Sequence, residues 1–181
     1  MSRRRTAYSL VAILCVLPGL AWAVLKASDA KVSFTCVGPG GLHFQGTTSE
    51  LNVEEQGGAL VLKVPLGKLS TGIGVRDGHM REKYLETDKY PEAQLSVPRA
   101  ALKFPAEGEK VEATAPGTMT IHGTSKPVTF HYKAVRHGAA YEVSGDVDIN
   151  MNDYGITTPS YLGITVKPPV DISATFHLLE T

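Results

Sequence analysis

Cysteine is nearly absent from this chain, whose 181 residues carry only Cys15 and Cys36. Cys15 sits in an N-terminal apolar stretch that reads as a cleavable leader, so the mature chain keeps one thiol and forms no internal disulfide. Cys36 shares the alternation of Val32 and Phe34, which predicts a buried, inert side chain. An excess of charge of one sign is missing too: 18 basic residues balance 18 acidic ones. Removing the leader, with its three arginines and no acids, leaves 15 basic residues against 18. A weakly acidic chain offers no electrostatic footprint for nucleic acid. The chain also lacks a Gly-x-Ser-x-Gly elbow, a phosphate loop, a dinucleotide fingerprint, an internal repeat and any low-complexity tract.

The leader is residues 1 to 23. Arg3, Arg4 and Arg5 precede an apolar stretch from Ala7 that ends at Ala21-Trp22-Ala23, the pattern of a secretory signal peptide. The stretch is short for a membrane anchor and is broken by Pro18 and Gly19, and Leu14 before Cys15 does not fit a lipoprotein acceptor site. The expectations are therefore cleavage before Val24, a periplasmic or secreted product, no stable membrane span after cleavage, and one domain over 24 to 181.

What the remaining sequence has in abundance is period-two alternation. Met119 and Ile121 alternate with Thr118, Thr120 and His122, and Val128, Phe130, Tyr132 and Ala134 with Thr129, His131 and Lys133. Tyr141, Val143, Val147 and Ile149 alternate with polar neighbours, as do Val170, Ile172, Ala174, Phe176 and Leu178. Such segments are strands with one oily face. With almost no helix to cover it, a sheet of this kind closes on itself or stacks on another. Further strands are expected over Lys31 to Cys36, Leu42 to Val53, Ala59 to Pro65 and Ala93 to Val97, with a hairpin at Gly123-Thr124-Ser125. The one helix spans Asp77 to Leu85, with Asp77 as its N-cap and Met80, Tyr84 and Leu85 as its apolar stripe. Met151 to Pro169 has no clear pattern, as a lid or rim would.

Three stretches together resemble the bacterial YceI-like family of lipocalin-like, polyisoprenoid-binding proteins. They are Val75-Arg76-Asp77-Gly78-His79-Met80-Arg81 with Tyr84-Leu85 and Tyr90-Pro91, the segment Gly117 to Val128, and Ile149-Asn150-Met151-Asn152-Asp153-Tyr154-Gly155-Ile156. The resemblance implies an all-β fold, an eight-stranded antiparallel lipocalin-like barrel with one short helix. Its lumen would hold a polyisoprenoid, an isoprenoid quinone, a fatty-acid derivative or another long-chain amphiphilic lipid. It implies neither an enzyme nor a cofactor. Two departures stand out: the short Gly38-Pro39-Gly40-Gly41 turn, and Tyr154 where the family usually has phenylalanine.

The inward parity nominates twelve ligand-binding residues: Val32, Phe34 and Phe44 near the start, Met119, Ile121, Val128, Phe130 and Tyr132 in the middle, and Val147, Ile149, Ile172 and Phe176 toward the end. A packed core has the same chemistry. Gly46, Gly145, Ala134 and Ala174 leave room beside the bulky residues, and the resemblance favours a tunnel. Asp77, His79 and Glu82 are a poor metal set, because residues two apart on a helix do not share a face and no histidine follows at four-residue spacing. His122, His131 and His177 fall on polar parity and are expected to be solvated. The competing readings are a ligand-free structural or partner-binding β-sandwich, and a hydrolase or isomerase that uses His79.

Overall fold

The computed structural model describes residues 25–161 and 163–180. The expected leader, Cys15 and the cleavage point at Val24 lie outside them. Strands dominate: β1 (Leu25–Val37), β2 (His43–Thr48), β3 (Asn52–Gln56), β4 (Ala59–Pro65), β5 (Glu92–Pro98), β6 (Lys110–Ile121), β7 (Thr124–His137), β8 (Ala140–Asn150), β9 (Ser160–Tyr161), β10 (Ile164–Thr165) and β11 (Pro169–Glu180). Helix α1 covers Gly74–His79 and continues as one wider π turn over Met80–Tyr84.

Nine strands form one antiparallel sheet in the order β2-β1-β11-β8-β7-β6-β5-β4-β3, and β9 and β10 pair separately. Neighbours in sequence pair in space from β3 through β8, through tight turns at β3–β4, β6–β7 and β7–β8 and through the longer 66–91 and 99–109 segments at β4–β5 and β5–β6. Between β6 and β7 the turn is His122-Gly123, with φ of 52° and 72°. Positive φ at both central residues matches the right-handed twist of a two-residue hairpin, and glycine takes it without a Cβ clash. The hairpin expected at Gly123-Thr124-Ser125 is there, with Thr124 and Ser125 already paired to Ile121 and Thr120.

The strand expected over Leu42 to Val53 is broken, which changes the count from eight to nine. Ser49, Glu50 and Leu51 form a corner in which the Glu50 N–H donates to Thr48 Oγ1 at 3.1 Å. Before the corner β2 pairs with β1, and after it β3 pairs with β4. The two edges of the sheet are thus consecutive in the chain, and β3 packs back on β1. The sheet curls into a lipocalin-like barrel joined by a bent strand rather than by a continuous ladder. Leu51 is buried at the corner and holds the bend from inside.

The helix begins three residues before the expected Asp77, and Asp77 does not cap it. Ile73 occupies the cap position, and Asp77 lies inside the helix, 4 % exposed. Its position follows from packing: Leu66, Leu69 and Met80 form a small buried cluster that folds the 66–72 segment back against the helix. That brings Ser70 and Thr71 onto the Asp77 carboxylate. Met80 is buried, and Tyr84 and Leu85 are half-buried against the main core, as the apolar stripe requires.

Candidate functional site

The curled sheet and the helical segment enclose a cavity of about 770 Å³. Its walls come from the inward positions of β1 to β8 and β11, and α1 with its π turn covers one end. Volumes of this size are typical of ligand pockets, and a barrel of few strands keeps such a space only when its interior side chains do not meet.

Eleven of the twelve residues nominated from parity line the cavity, and Val128 does not. Val128 is half-buried at the margin of the core, opposite Gly117 on β6. A Cβ on Gly117 would lie 2.9 Å from Leu95 Cδ1 and 3.4 Å from Phe130 Cε1, so that corner is already filled by protein. Gly46 also departs from expectation. The Phe34 ring, its cross-strand neighbour, lies over it, so the room left by the missing side chain is taken by an aromatic side chain. Gly145 does border the cavity.

Parity reasoning missed two parts of the wall. Leu60, Leu62 and Val64 of β4 and Ala93, Leu95 and Val97 of β5 line the cavity. Val61, apolar and buried on the other face of β4, hides the alternation there. The helical segment contributes Arg76, His79, Met80, Tyr84 and Leu85. The motif that carries the family resemblance marked this stretch, but nothing local says it faces inward.

The two ends of the cavity differ. At the far end the segment from Arg99 to Phe104 is fixed across the barrel: the Lys103 N–H donates to Tyr132 Oη at 2.7 Å, the Phe104 ring meets Tyr141 edge-on at 5.9 Å, and the Arg99 guanidinium lies 4.7 Å from the Phe104 ring centre. At the near end Thr71, Ile73, Val75, Arg76 and His79 face Pro159, Ser160, Ile164 and Val166 from the segment that lacked a clear pattern. Ile73, Val75 and Ile164 are 54 %, 69 % and 41 % exposed, so the mouth has an apolar rim.

A polar network stands beside that rim. Ser70 Oγ donates to Asp77 Oδ2 at 2.7 Å, and Thr71 gives Asp77 Oδ1 both its N–H, at 2.7 Å, and its hydroxyl proton. Burial pushes the Asp77 carboxyl up, but these hydrogen bonds and the nearby Arg81 outweigh it and hold the group below its ordinary value. Thr71 in turn holds Arg76. Arg76 Nε donates to Thr71 Oγ1 and Nη2 to the Thr71 carbonyl, both at 2.8 Å, and the guanidinium carbon lies 5.7 Å from the Phe44 ring centre.

The remaining nominated chemistry is dispersed. Cys36 is free and buried, and burial, with a contribution from Asp171, pushes its thiol up to about 11. His131 and His177 are exposed, the latter 3.2 Å from Asp29. His122 is not solvated as expected: its turn conformation carries the ring off the strand, sets it against Tyr90 with ring centres 4.4 Å apart and planes tilted by 59°, and places Nε2 2.8 Å from Glu86 and Nδ1 3.3 Å from the Tyr154 carbonyl. It pins the 86–90 loop and the 151–154 turn to the β6–β7 hairpin. Among the described residues no three His, Cys, Asp or Glu side chains come together as a metal site, and no helix is long and apolar enough to cross a membrane.

A curled antiparallel barrel around an apolar cavity with one rimmed mouth defines the lipocalin-like class. Within that class the chain belongs to the YceI-like family, whose model matches residues 23–178 as a YceI-like domain. It is 32 % identical over 99 residues to UPF0312 protein Ent638_1570 of Enterobacter sp. (strain 638), covering 50 % of this chain and 47 % of that one. It is 34 % identical over 107 residues to UPF0312 protein PputW619_0484 of Pseudomonas putida (strain W619), covering 54 % and 51 %. The chain thus spans about half the length of the curated relatives it matches. Its fold resembles a polyisoprenoid binding domain from Saccharophagus degradans implicated in plant cell wall breakdown, with a TM-score of 0.73 and 20 % identity over 87 % of this chain and 97 % of that one. It also resembles Burkholderia cenocepacia BcnA, with a TM-score of 0.63 and 19 % identity over 84 % and 96 %.

Proposed function

We propose that this protein binds a long-chain apolar molecule, such as a polyisoprenoid, an isoprenoid quinone or a fatty-acid derivative, with its tail in the lumen. The observation that carries the reading is the cavity of about 770 Å³, walled mainly by aliphatic and aromatic side chains. Transfer of the tail out of water supplies the affinity, at roughly 0.8 kcal/mol per buried methylene, so tail length sets binding strength and the rim selects the head group. The family and the polyisoprenoid-binding neighbour support the same reading. The signal-peptide pattern adds the proposal that the protein works in the periplasm or outside the cell.

A binding role suits the mouth better than acid–base catalysis through Asp77 and His79. Both Asp77 oxygens are engaged by Ser70 and Thr71, which makes the carboxylate a structural acceptor rather than a partner that orients His79. The test is native mass spectrometry of protein purified from its own host, followed by titration of delipidated protein with saturated acyl chains of increasing length. The expected result is a co-purified apolar ligand and an affinity that rises about fourfold per methylene until the cavity is full. A ligand-free protein whose affinity is indifferent to chain length would overturn the reading in favour of a structural or partner-binding sandwich.

A further inference from the structure

We propose that Arg76 anchors an anionic head group at the mouth, so that the ligand is an amphiphile with one phosphate or carboxylate end rather than a neutral lipid. This rests on the reading of the lumen as a tail-binding site and specifies the chemistry at its entrance.

The cavity wall is apolar over most of its length, and the Arg76 guanidinium is placed where the wall meets solvent. Arg76 is half-buried. Among the described residues it has no carboxylate partner, since Asp77, next to it in sequence, is committed to Ser70 and Thr71. Two of its five N–H groups are used on Thr71, which leaves three in the plane of the fork. A partly desolvated guanidinium with unused donors gains most from an oxyanion, whose oxygens match the fork in charge and geometry.

The guanidinium is also held in place before any ligand arrives. The Thr71 hydroxyl donates its only proton to Asp77 and so turns a lone pair toward Arg76 Nε, while the Phe44 ring flanks the guanidinium carbon. Asp77 and Thr71 are therefore positioning residues for Arg76, which accounts for a carboxylate buried inside a one-turn helix. From this anchor the tail runs inward along Phe34, Phe130 and Tyr132 toward the end lined by Phe104.

The experiment uses three probes with one tail: hexadecyl phosphate, hexadecanoate and hexadecanol, each competing at pH 8 with a fluorescent long-chain probe on delipidated protein. In the wild type both anions are expected to bind at least about tenfold tighter than the alcohol, with a margin that shrinks as salt rises. In Arg76→Gln the anion-to-alcohol ratio should fall to near one, and in Arg76→Lys it should recover in part. Thr71→Val should lower the ratio without lowering the melting temperature in proportion. His131→Ser, on the outer face, should move neither ratio nor affinity. Equal binding of anions and alcohol by the wild type, or a ratio that survives Arg76→Gln, overturns the head-group proposal while the tail-binding reading stands. Failure of all three probes overturns both. Displacement of the fluorescent probe by inorganic phosphate alone, lost in Arg76→Gln, overturns the amphiphile in favour of a free-anion site.

Discussion

The long strands β6, β7, β8 and β11 and the mouth built from the 66–91 and 151–168 segments are held together by different physics. In the strands each inward residue repeats the role of the one two positions away, and stability is spread over many apolar contacts such as those of Phe130, Val147 and Phe176. At the mouth little repeats. A six-residue helix is too short to persist alone, and it is held by three apolar anchors and by hydrogen bonds to one buried carboxylate. Distributed burial tolerates the loss of one member, whereas a local network loses its geometry with one atom. The wall therefore suits a site that grips a featureless tail, and the mouth suits one that distinguishes head groups.

The largest expected effect lies on the wall and tests whether position or parity matters. Phe130→Ala should destabilise by about 3 kcal/mol in chemical denaturation, at the low end for a buried ring because one side of it faces the cavity, and it should weaken tail binding. Val128→Ala, two residues away on the same face, should cost about 1 kcal/mol and leave tail binding unchanged. Equal losses of binding in the two variants would erase the distinction between lining and margin.

Next comes the mouth. Asp77→Ala should cost about 2 kcal/mol at pH 7, since three donors lose a charged acceptor in a buried position. Because the fold holds this carboxyl below its ordinary value of 3.8, its contribution is whole above that value and drains away as pH falls through the lower folded one. The gap between wild type and variant, followed by urea denaturation from pH 7 downward, should hold steady to about pH 5 and then close. A gap that persists at pH 2 would mean that packing, not charge, makes Asp77 important.

Gly46→Ala should have a smaller effect, about 1 to 2 kcal/mol, because the new Cβ overlaps the Phe34 ring and drives it toward the lumen. Tail binding should weaken with it, a packing effect read out as affinity. The smallest effect belongs to the outer surface. Lys63 lies 2.8 Å from Glu54 across β3 and β4, yet Glu54 is half exposed, and Lys63→Ala should shift Tm by less than about 2 °C.

Legibility in the sequence follows the same division. The faces of β6, β7, β8 and β11 were readable because a strand turns successive side chains to opposite sides whatever lies around it. On β4 the apolar Val61 on the outward face blurred that signal, and the inward row of Leu60, Leu62 and Val64 went unseen. Asp77 opens the expected helix as an N-cap would, but the five residues between Thr71 and Asp77 fold back so that the partners come from upstream rather than from the helix. His122 has the parity of a solvated residue. A φ of 52° at the turn and the arrival of Glu86 and Tyr154 from distant segments make it a clasp.

The sequence by itself determined which residues face inward on the long strands, where the β6–β7 hairpin turns, and that Cys36 sits on the buried face, because each depends only on the backbone's period and on neighbours a few residues away. The tertiary structure decided that the 42–53 segment breaks to join the two edges of the sheet, that Phe34 rather than empty space covers Gly46, that Arg76 is braced by Thr71 at the mouth, and that the lumen stays open. Each of these is a meeting of segments far apart in the chain. The volume left between opposing walls depends on strand tilt and closure, which no single strand encodes.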